Sequence, residues 1–295
     1  MLITQIINYI ENALMPRYQH LHTCNQYAWW MLEEITKKTK TQLLILHQLG
    51  LTVAQRSQLD DWIYKQVVLH IPLAYLIGSV PFNNVIIDVK SPVLIPRPET
   101  EEWVSNLIDA LQKIPQKRLS ILDLCSGTGC IGLSIAKAFA KSHVVAIDIS
   151  DEALALGKHN AHKNNIPNIT FIRSDLYTDL PPAFTFDLIV SNPPYIAESE
   201  WEDLDDSVRK WEDSRALVAP NEGLELIEKI VQNASTYLHP NPDLCAQKIN
   251  NLYIEIGYRQ GAAVKHIFEK YHARNAAVIK DLEGKDRVVT GSFNC

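Results

Sequence analysis

The chain has 295 residues, of which 46% are hydrophobic and 21% are charged, and its formal net charge is −6. This length exceeds that of most single compact domains, so two unequal domains are expected in an ordinary globular protein. The negative charge argues against stable nucleic-acid binding, which depends on neutralisation of phosphates by Lys and Arg. No apolar run reaches the roughly 18 residues that span a bilayer, and the first residues lack the basic start of a signal peptide. We therefore expect a cytoplasmic protein without a membrane partner.

The cysteines are odd in number and scattered along the chain, at Cys24, Cys125, Cys130, Cys245 and Cys295. They predict neither a disulfide framework nor a paired metal site. Cys125 and Cys130 flank a glycine-rich turn, and we interpret both as small packing residues rather than reactive thiols. The histidines share no ligand spacing with these cysteines, so no metal site is expected.

The first 71 residues follow helical periodicity. One apolar face predicts the first helix, and its members are Ile3, Ile6, Ile7, Ile10 and Leu14. Two short helices are predicted over residues 28–35 and 43–49, and Gly50 ends the second of them. Aromatic residues at helical spacing favour a core position over a binding surface, and this applies to Trp29, Trp30 and Trp62. We expect a small helical bundle.

A fourth helix of this bundle carries a start signal. Thr52 and Gln55 have the spacing of a capping box, in which each side chain accepts a hydrogen bond from the other residue's backbone. The residues that follow form one apolar stripe, made of Leu59, Ile63 and Val67.

The pattern changes between residues 72 and 98, a segment punctuated by prolines. Alternating apolar residues predict a short β-hairpin inside this linker, at Val85, Ile87 and Val89. A helix is predicted next, because acidic residues favoured by the positive end of the helix dipole follow the linker, at Glu99, Glu101 and Glu102.

From residue 119 onward, apolar strands alternate with helices. Strands are predicted over residues 120–124, 143–149, 169–172 and 186–191, and helices over residues 131–140 and 150–164. This alternation is typical of a parallel sheet with crossover helices, an open α/β fold. Ligands of such folds bind in the crevice at the carboxyl ends of the strands.

Residues 121–132 (ILDLCSGTGCIG) join the first of these strands to its helix. Gly127 and Gly129 permit backbone angles and close ligand approach that a Cβ would block. The helix that follows offers unpaired N–H groups to an anionic ligand. Asp148 ends the next strand about 20 residues later, where a carboxylate accepts both hydroxyls of an adenosine ribose.

This glycine turn also has a dinucleotide interpretation, because Gly127, Gly129 and Gly132 form a GxGxxG pattern. A purely structural strand-to-helix turn is a second alternative. Asp123 favours S-adenosylmethionine, since an acid at the end of the strand suits the ammonium of the methionine moiety. The motif described next also has no role in hydride transfer.

The second motif is an apolar strand that ends in a stiff polar turn, residues 186–195 (FDLIVSNPPY). Pro193 and Pro194 fix φ and donate no hydrogen bonds, so their carbonyls and the side-chain oxygen of Asn192 are available as fixed acceptors. Tyr195 offers a flat face to a planar group. Such acceptors would hold both N–H bonds of an amide or exocyclic amine and aim its nitrogen at a sulfonium methyl group.

Residues 119–195 resemble class I methyltransferases that modify planar nitrogens. Further segments narrow the resemblance to the HemK-type release factor glutamine methyltransferases, namely residues 94–101 (LIPRPETE), 254–261 (IEIGYRQG), 281–288 (DLEGKDRV) and the linker residues 74–78 (AYLIG). The resemblance covers nearly the whole chain. It implies a Rossmann-like α/β sheet with a small N-terminal helical bundle joined by a β-hairpin linker. The implied domains are residues 1–71, the linker 72–98 and the methyltransferase domain 99–295.

The resemblance also implies roles for individual residues. Contacts to S-adenosylmethionine are implied for Asp123, Cys125, Ser126, Gly127, Thr128, Gly129, Asp148, Asp175, Leu176 and Asn192. Catalysis and binding of the substrate glutamine are implied for Asn192, Pro193, Pro194 and Tyr195. The implied substrate is the glutamine of the Gly-Gly-Gln loop in class I peptide-chain release factors, with the helical domain helping to dock the factor. We expect a monomer.

The chain departs from the family pattern at two places. Cys125 stands where a glycine or another small residue is usual, which is tolerable if only small size is required. The stretch between Tyr237 and Tyr253 is longer and richer in proline than the family's short glycine-containing turn.

The alternatives are a ribosomal-protein glutamine methyltransferase, a nucleic-acid adenine-N6 methyltransferase with a basic surface beside the site, and a non-catalytic factor that keeps only the fold.

Overall fold

The structure is a computed structural model that describes residues 2–46, 48–114, 118–181 and 183–294. The chain divides into two compact units. The helical unit comprises Met1–Gly78 and Asp205–Trp211, and the sheet unit comprises Ser79–Leu204 and Glu212–Cys295.

The described helices follow in chain order. They are α1 Ile3–Tyr18, α2 Leu21–Thr36, α3 Lys40–Leu46, α4 Val53–Val67, α5 Leu73–Ile77, α6 Pro98–Leu111, α7 Cys130–Ala138, α8 Asp151–Lys163, α9 Asp206–Arg209, α10 Glu225–Tyr237, α11 Pro242–Ala246 and α12 Gly261–Lys270. Short 3₁₀ turns cover Glu198–Asp203 and Ser214–Ala216.

The described strands complete this framework. They are β1 Ser79–Phe82, β2 Val85–Asp88, β3 Ser120–Leu124, β4 His143–Asp148, β5 Ile169–Arg173, β6 Leu188–Ser191, β7 Ile196–Ala197, β8 Val218–Ala219, β9 Leu252–Glu255, β10 Arg274–Lys280 and β11 Asp286–Ser292.

The helical unit is built around the apolar face predicted for α1, all five members of which are buried. They pack with buried residues of α2 and α4 in one cluster. The predicted capping box of α4 is present, with Gln55 N donating to Thr52 Oγ1 over 3.2 Å and Thr52 N donating to Gln55 Oε1 over 3.0 Å. The expectation for the tryptophans holds for Trp62, which is buried, but is wrong for Trp30, whose exposed fraction is 44%.

A distant piece of the chain also belongs to the helical unit. Asp205 forms an ion pair with Arg17 and caps α9 by accepting from Ser207 N over 2.8 Å. Trp211 Nε1 donates to Leu69 O over 2.9 Å. No local pattern in the sequence indicated this association, because Arg17 and Asp205 are 188 residues apart in the chain.

The main sheet of the second unit has the strand order β10-β11-β9-β6-β3-β4-β5. Parallel pairs join β6 to β3 and β9, and β4 to β3 and β5, as the alternation of strands and helices predicted. The prediction of a parallel sheet is wrong at one edge, where β11 runs antiparallel to both β9 and β10. A tight connection of a few residues between β10 and β11 permits only this arrangement, since a parallel pair needs a crossover.

The predicted hairpin forms from β1 and β2 and is part of the sheet unit. The atypical stretch before β9 contains α11, which Asn241 caps by accepting from the backbone of Asp243 over 3.0 Å and Leu244 over 3.2 Å. Cys24, Cys125 and Cys130 are free thiols, whereas Cys245 is disulfide-bonded, which the sequence did not predict. Cys295 lies outside the described residues. No helix in the described ranges is long and apolar enough to cross a membrane.

Candidate active site

The two sequence motifs meet at the carboxyl ends of adjacent strands. Leu124, the last residue of β3, pairs with Ser191, the last residue of β6. Ser191 Oγ also donates to Leu124 O over 2.9 Å and fastens the two strand ends together. The chain winds from β3 toward β4 and β5 on one side and returns through β6 on the other. The glycine turn and the Asn-Pro-Pro-Tyr turn therefore flank the topological switch point where open α/β sheets bind ligands.

A cavity of about 290 Å³ opens at this edge of the sheet. Its walls include seven of the predicted site residues, namely Cys125, Gly127, Asp148, Asp175, Leu176, Asn192 and Pro194. The predicted residues that do not line it are Asp123, Ser126, Thr128, Gly129, Pro193 and Tyr195. No site role was predicted for other wall residues, among them Pro92, Val93, Leu94, Asp213 and Arg215.

The backbone of the glycine turn adopts positive φ angles. Gly127 has φ 54° and Gly129 has φ 80°, in the region that glycine occupies without a steric cost. Cys125 also has a positive φ of 59°, which is strained for a residue with a Cβ. Small size alone does not explain why glycine suits this position, because the backbone itself favours glycine there. Burial raises the pKa of the Cys125 thiol, which keeps it protonated as expected for a packing residue.

The Asp148 carboxylate fixes the glycine turn to the end of β4. Its Oδ2 accepts from Gly127 N over 2.8 Å and its Oδ1 accepts from Ser150 N over 2.9 Å. Each carboxylate oxygen keeps a further lone pair, and the side chain lines the cavity. Burial raises the pKa of Asp148 and the hydrogen bonds from the two backbone amides oppose that rise. This geometry leaves Asp148 able to accept two adjacent hydroxyl groups.

Asp123 is fully buried and only half satisfied. Its Oδ2 accepts from Gly132 N over 2.9 Å, whereas its Oδ1 has no partner among the described residues. Gly132 is required for this approach, because a Cβ there would lie 2.9 Å from Asp123 Oδ2. Burial raises the pKa of Asp123 to about 7. A carboxylate oxygen without a hydrogen-bond partner suits a ligand ammonium. Because the Asp123 side chain has 0% exposure, the glycine turn must open locally for that contact to form.

Asn192 connects the cavity to a buried carboxylate that sequence reasoning missed. Asn192 Nδ2 donates to Thr100 Oγ1 over 3.3 Å, and Thr100 Oγ1 donates to Glu255 Oε2 over 2.7 Å. Trp103 Nε1 donates to the same Glu255 oxygen over 2.8 Å. Glu255 is 1% exposed, and burial raises its pKa. Thr100 and Glu255 both lie in motif segments quoted above, but their separation in sequence hides the contact.

Tyr195 is held from several sides and packs against the hydrophobic core. Its hydroxyl donates to Glu255 Oε1 over 3.5 Å, and its carbonyl accepts from Gln260 Nε2 over 2.8 Å. Gly223 has φ 75°, and a Cβ at that position would collide with the Tyr195 carbonyl. These contacts fix the backbone just after the two prolines, which fixes the direction of their carbonyls.

The sheet order, the glycine turn and the acid at the end of the next strand define a class I methyltransferase. The model of the methyltransferase small domain matches residues 104–208, and the model of the PrmC N-terminal domain matches residues 6–78. The catalytic domain of hMettl16, solved in complex with MAT2A 3'UTR hairpin 6, is 15% identical with a TM-score of 0.52, and the alignment covers 84% of each chain. At that identity the likeness shows the fold alone. A methyltransferase domain implies S-adenosylmethionine as the methyl donor.

Relatives in sequence identify the family. The chain is 36% identical to the release factor glutamine methyltransferase of Lactococcus lactis subsp. lactis, over 92% of this chain and 91% of the relative. It is 31% identical to that of Streptococcus pneumoniae, over 98% of each chain. The chain belongs to the release factor glutamine methyltransferase family.

Proposed function

We propose that the protein transfers the methyl group of S-adenosylmethionine to the side-chain amide nitrogen (N5) of the glutamine in the Gly-Gly-Gln loop of class I peptide-chain release factors. The observation that carries this proposal is the shared edge of the sheet, where a cavity bounded by Asp148 on one side is bounded by Asn192 and Pro194 on the other. This arrangement would bring the methyl donor and the methyl acceptor to one place.

The cavity suits the donor through its own residues. Asp148 would accept the ribose hydroxyls. The unpartnered oxygen of Asp123, behind the cavity wall, would accept a hydrogen bond from the ammonium after a local opening of the glycine turn. Asp175 and Leu176 form the wall against which the adenine would lie. When bound, the donor supplies a methyl group on a positively charged sulfur, and these contacts fix the direction in which that methyl group points.

The Asn192–Tyr195 turn suits an amide. An amide nitrogen is a weak nucleophile because its lone pair is delocalised. The oxygen of Asn192 and a proline carbonyl would each accept one N–H, which raises the electron density on nitrogen and aims it along the line of attack. A nitrogen–carbon bond forms as the carbon–sulfur bond breaks with its electron pair going to sulfur, and the amide proton is then lost to solvent.

The helical domain is assigned to docking. We propose that residues 1–71 hold the body of the release factor, that residues 72–98 link the domains and that residues 99–295 carry out the transfer as a monomer. The support is that the helical bundle has its own buried core and exposes apolar side chains, among them Leu21, Trp30 and Ile45. A docking surface for a protein partner is expected to include such exposed apolar side chains.

The decisive experiment is methyl transfer from labelled S-adenosylmethionine to a purified release factor. A copy of the factor with its loop glutamine changed to alanine serves as the matched control. Label on the intact factor alone supports the proposal. Label on ribosomal protein or on RNA, with none on the factor, would replace the proposal by the corresponding glutamine or adenine methyltransferase.

A further inference from the structure

The side-chain amide of Asn192 has two orientations, related by a half-turn, that fit the same space. In one, the oxygen faces the cavity and accepts an N–H of the substrate. In the other, the NH₂ group faces the cavity and repels that N–H. The proposed function requires the first orientation. The feature that selects it lies behind the cavity wall, away from the substrate.

The selection begins at Glu255, the last residue of β9. One oxygen, Oε2, accepts hydrogen bonds from Thr100 Oγ1 over 2.7 Å and from Trp103 Nε1 over 2.8 Å. All three side chains are buried, with exposed fractions of 1% for Glu255, 2% for Thr100 and 5% for Trp103. A threonine hydroxyl has a single proton, and Thr100 uses it in the hydrogen bond that it donates to the Glu255 carboxylate.

The direction of the next hydrogen bond is then determined. Because Thr100 Oγ1 has already donated its proton, it is only an acceptor toward Asn192. Asn192 must therefore present its NH₂ group, and Nδ2 lies 3.3 Å from Thr100 Oγ1. Asn192 Oδ1, which has no hydrogen-bond partner among the residues that the structure describes, is left for the cavity that the residue lines.

We propose that Thr100 and Glu255 are positioning residues that fix the amide orientation of Asn192, so that its oxygen faces the substrate nitrogen. This inference rests on the proposed function, and it identifies how the acceptor of that function is set. Neither residue lines the cavity, so both act through Asn192. A buried hydrogen-bond chain of this kind fixes an orientation without contact to the ligand.

The test uses two pairs of variants in the full-length protein. Thr100→Val keeps the shape of the side chain and removes the hydroxyl, while Thr100→Ser keeps the hydroxyl. Glu255→Leu removes the acceptor, while Glu255→Gln keeps one oxygen that serves both donors. We expect Thr100→Val and Glu255→Leu to lower kcat for the release factor about tenfold to a hundredfold, because a misoriented acceptor costs transition-state stabilisation. The conservative variants should keep most of the activity, and S-adenosylmethionine affinity should change less than about twofold in Thr100→Val.

Thr290→Val is the matched control. Thr290 is also a buried threonine, 4% exposed, and its hydroxyl donates to Leu252 O over 2.9 Å on the strand that carries Glu255. Within the described part of the chain its hydroxyl forms no hydrogen bond with Asn192, so its loss should reduce thermal stability without lowering kcat. Equal losses of kcat in Thr100→Val and Thr290→Val would overturn the positioning role, as would an unchanged kcat in Thr100→Val.

A second measurement does not depend on activity. In ¹⁵N-labelled protein, the side-chain amide protons of Asn192, assigned by their disappearance in Asn192→Ala, should shift in Thr100→Val but not in Thr290→Val. Unshifted signals in Thr100→Val would show that the hydrogen-bond chain is absent. If these signals shift as expected while the wild-type protein fails to label the release factor, the proposed function fails and the orientation of Asn192 stands.

Discussion

Asp123 should make the binding of S-adenosylmethionine depend on pH near neutrality. Its pKa lies at about 7, compared with a usual value of 3.8, because the side chain is buried. A ligand ammonium favours the ionised carboxylate and lowers this pKa. Binding of S-adenosylmethionine below pH 7 should therefore release up to one proton, and affinity should fall by up to about tenfold for each pH unit below 7. Isothermal calorimetry in buffers of different ionisation enthalpy measures both quantities.

The same titration provides its own control. At pH 8.5 Asp123 is already ionised in the free protein, so proton release should vanish. Asn at this position does not titrate, and Asp123→Asn should remove the pH dependence while weakening binding. Proton release that persists in Asp123→Asn would assign the titration to another group.

Asn192 separates substrate positioning from donor binding. Asn192→Ala removes the acceptor oxygen at the cavity wall, and we expect methyl transfer to fall by about a hundredfold or more, as when one stabilising group of a transition state is removed. Because the contacts of Asp148 and the glycine turn are untouched, cofactor affinity should be only partly reduced. Single-turnover transfer and calorimetry measure the two effects. Normal transfer by Asn192→Ala would contradict the proposed site.

Asn160 connects three elements at the scale of secondary structure. This fully buried side chain on α8 accepts from Asp88 N over 2.8 Å and donates to Asp88 O and Thr128 O, each over 3.1 Å. It therefore ties α8, the β1–β2 hairpin and the glycine turn together. Asn160→Asp removes both donors and places a carboxylate against two carbonyls. We expect it to lower the free energy of unfolding by about 3 kcal/mol and to weaken S-adenosylmethionine binding.

Asn164, the C-cap residue of α8, is the matched control. It makes a similar set of hydrogen bonds, accepting from Ile86 N over 3.0 Å and donating to Ile86 O over 2.8 Å, but it is only partly buried. Asn164→Asp should cost less stability and leave cofactor affinity unchanged. Urea unfolding and calorimetry compare the two variants. Equal effects on cofactor affinity would show that Asn160 does not support the glycine turn.

The buried cluster of the helical unit is separate from a buried cluster of the sheet unit. Ile10 is fully buried in the cluster of the helical unit, and it is far in sequence from the residues that line the cavity. We expect Ile10→Ala to destabilise the helical unit by about 2–5 kcal/mol. Methylation of the release factor should decline, since the docking domain is weakened, while S-adenosylmethionine affinity is retained. Scanning calorimetry and binding measurements follow these effects.

Ile230→Ala is the corresponding change in the sheet unit, where Ile230 is fully buried. It should lower the temperature at which the sheet unit unfolds. Saturating S-adenosylmethionine should raise that temperature, because the ligand binds the folded sheet unit. A single transition that both variants and the cofactor shift together would contradict independent cores.

The amino-acid sequence by itself determined the features whose causes lie within a few residues. The apolar face of α1, the capping box of α4 and the two rigid turns at the strand ends are local patterns of side-chain spacing and backbone freedom. Seven of the predicted site residues line the cavity, and the two motifs supported the family. Trp30 shows the limit even here, since helical spacing alone did not tell which aromatic side chain the bundle covers.

Only the tertiary structure decided the contacts between distant segments. Thr100, Asn192 and Glu255 meet across separations of 92 and 155 residues. The unpartnered oxygen of Asp123, the association of residues 205–211 with the helical unit and the antiparallel edge of the sheet belong to the same group. Each depends on strand order and on closure of long loops, whose free energy is set by the packing of the whole chain and by no local pattern.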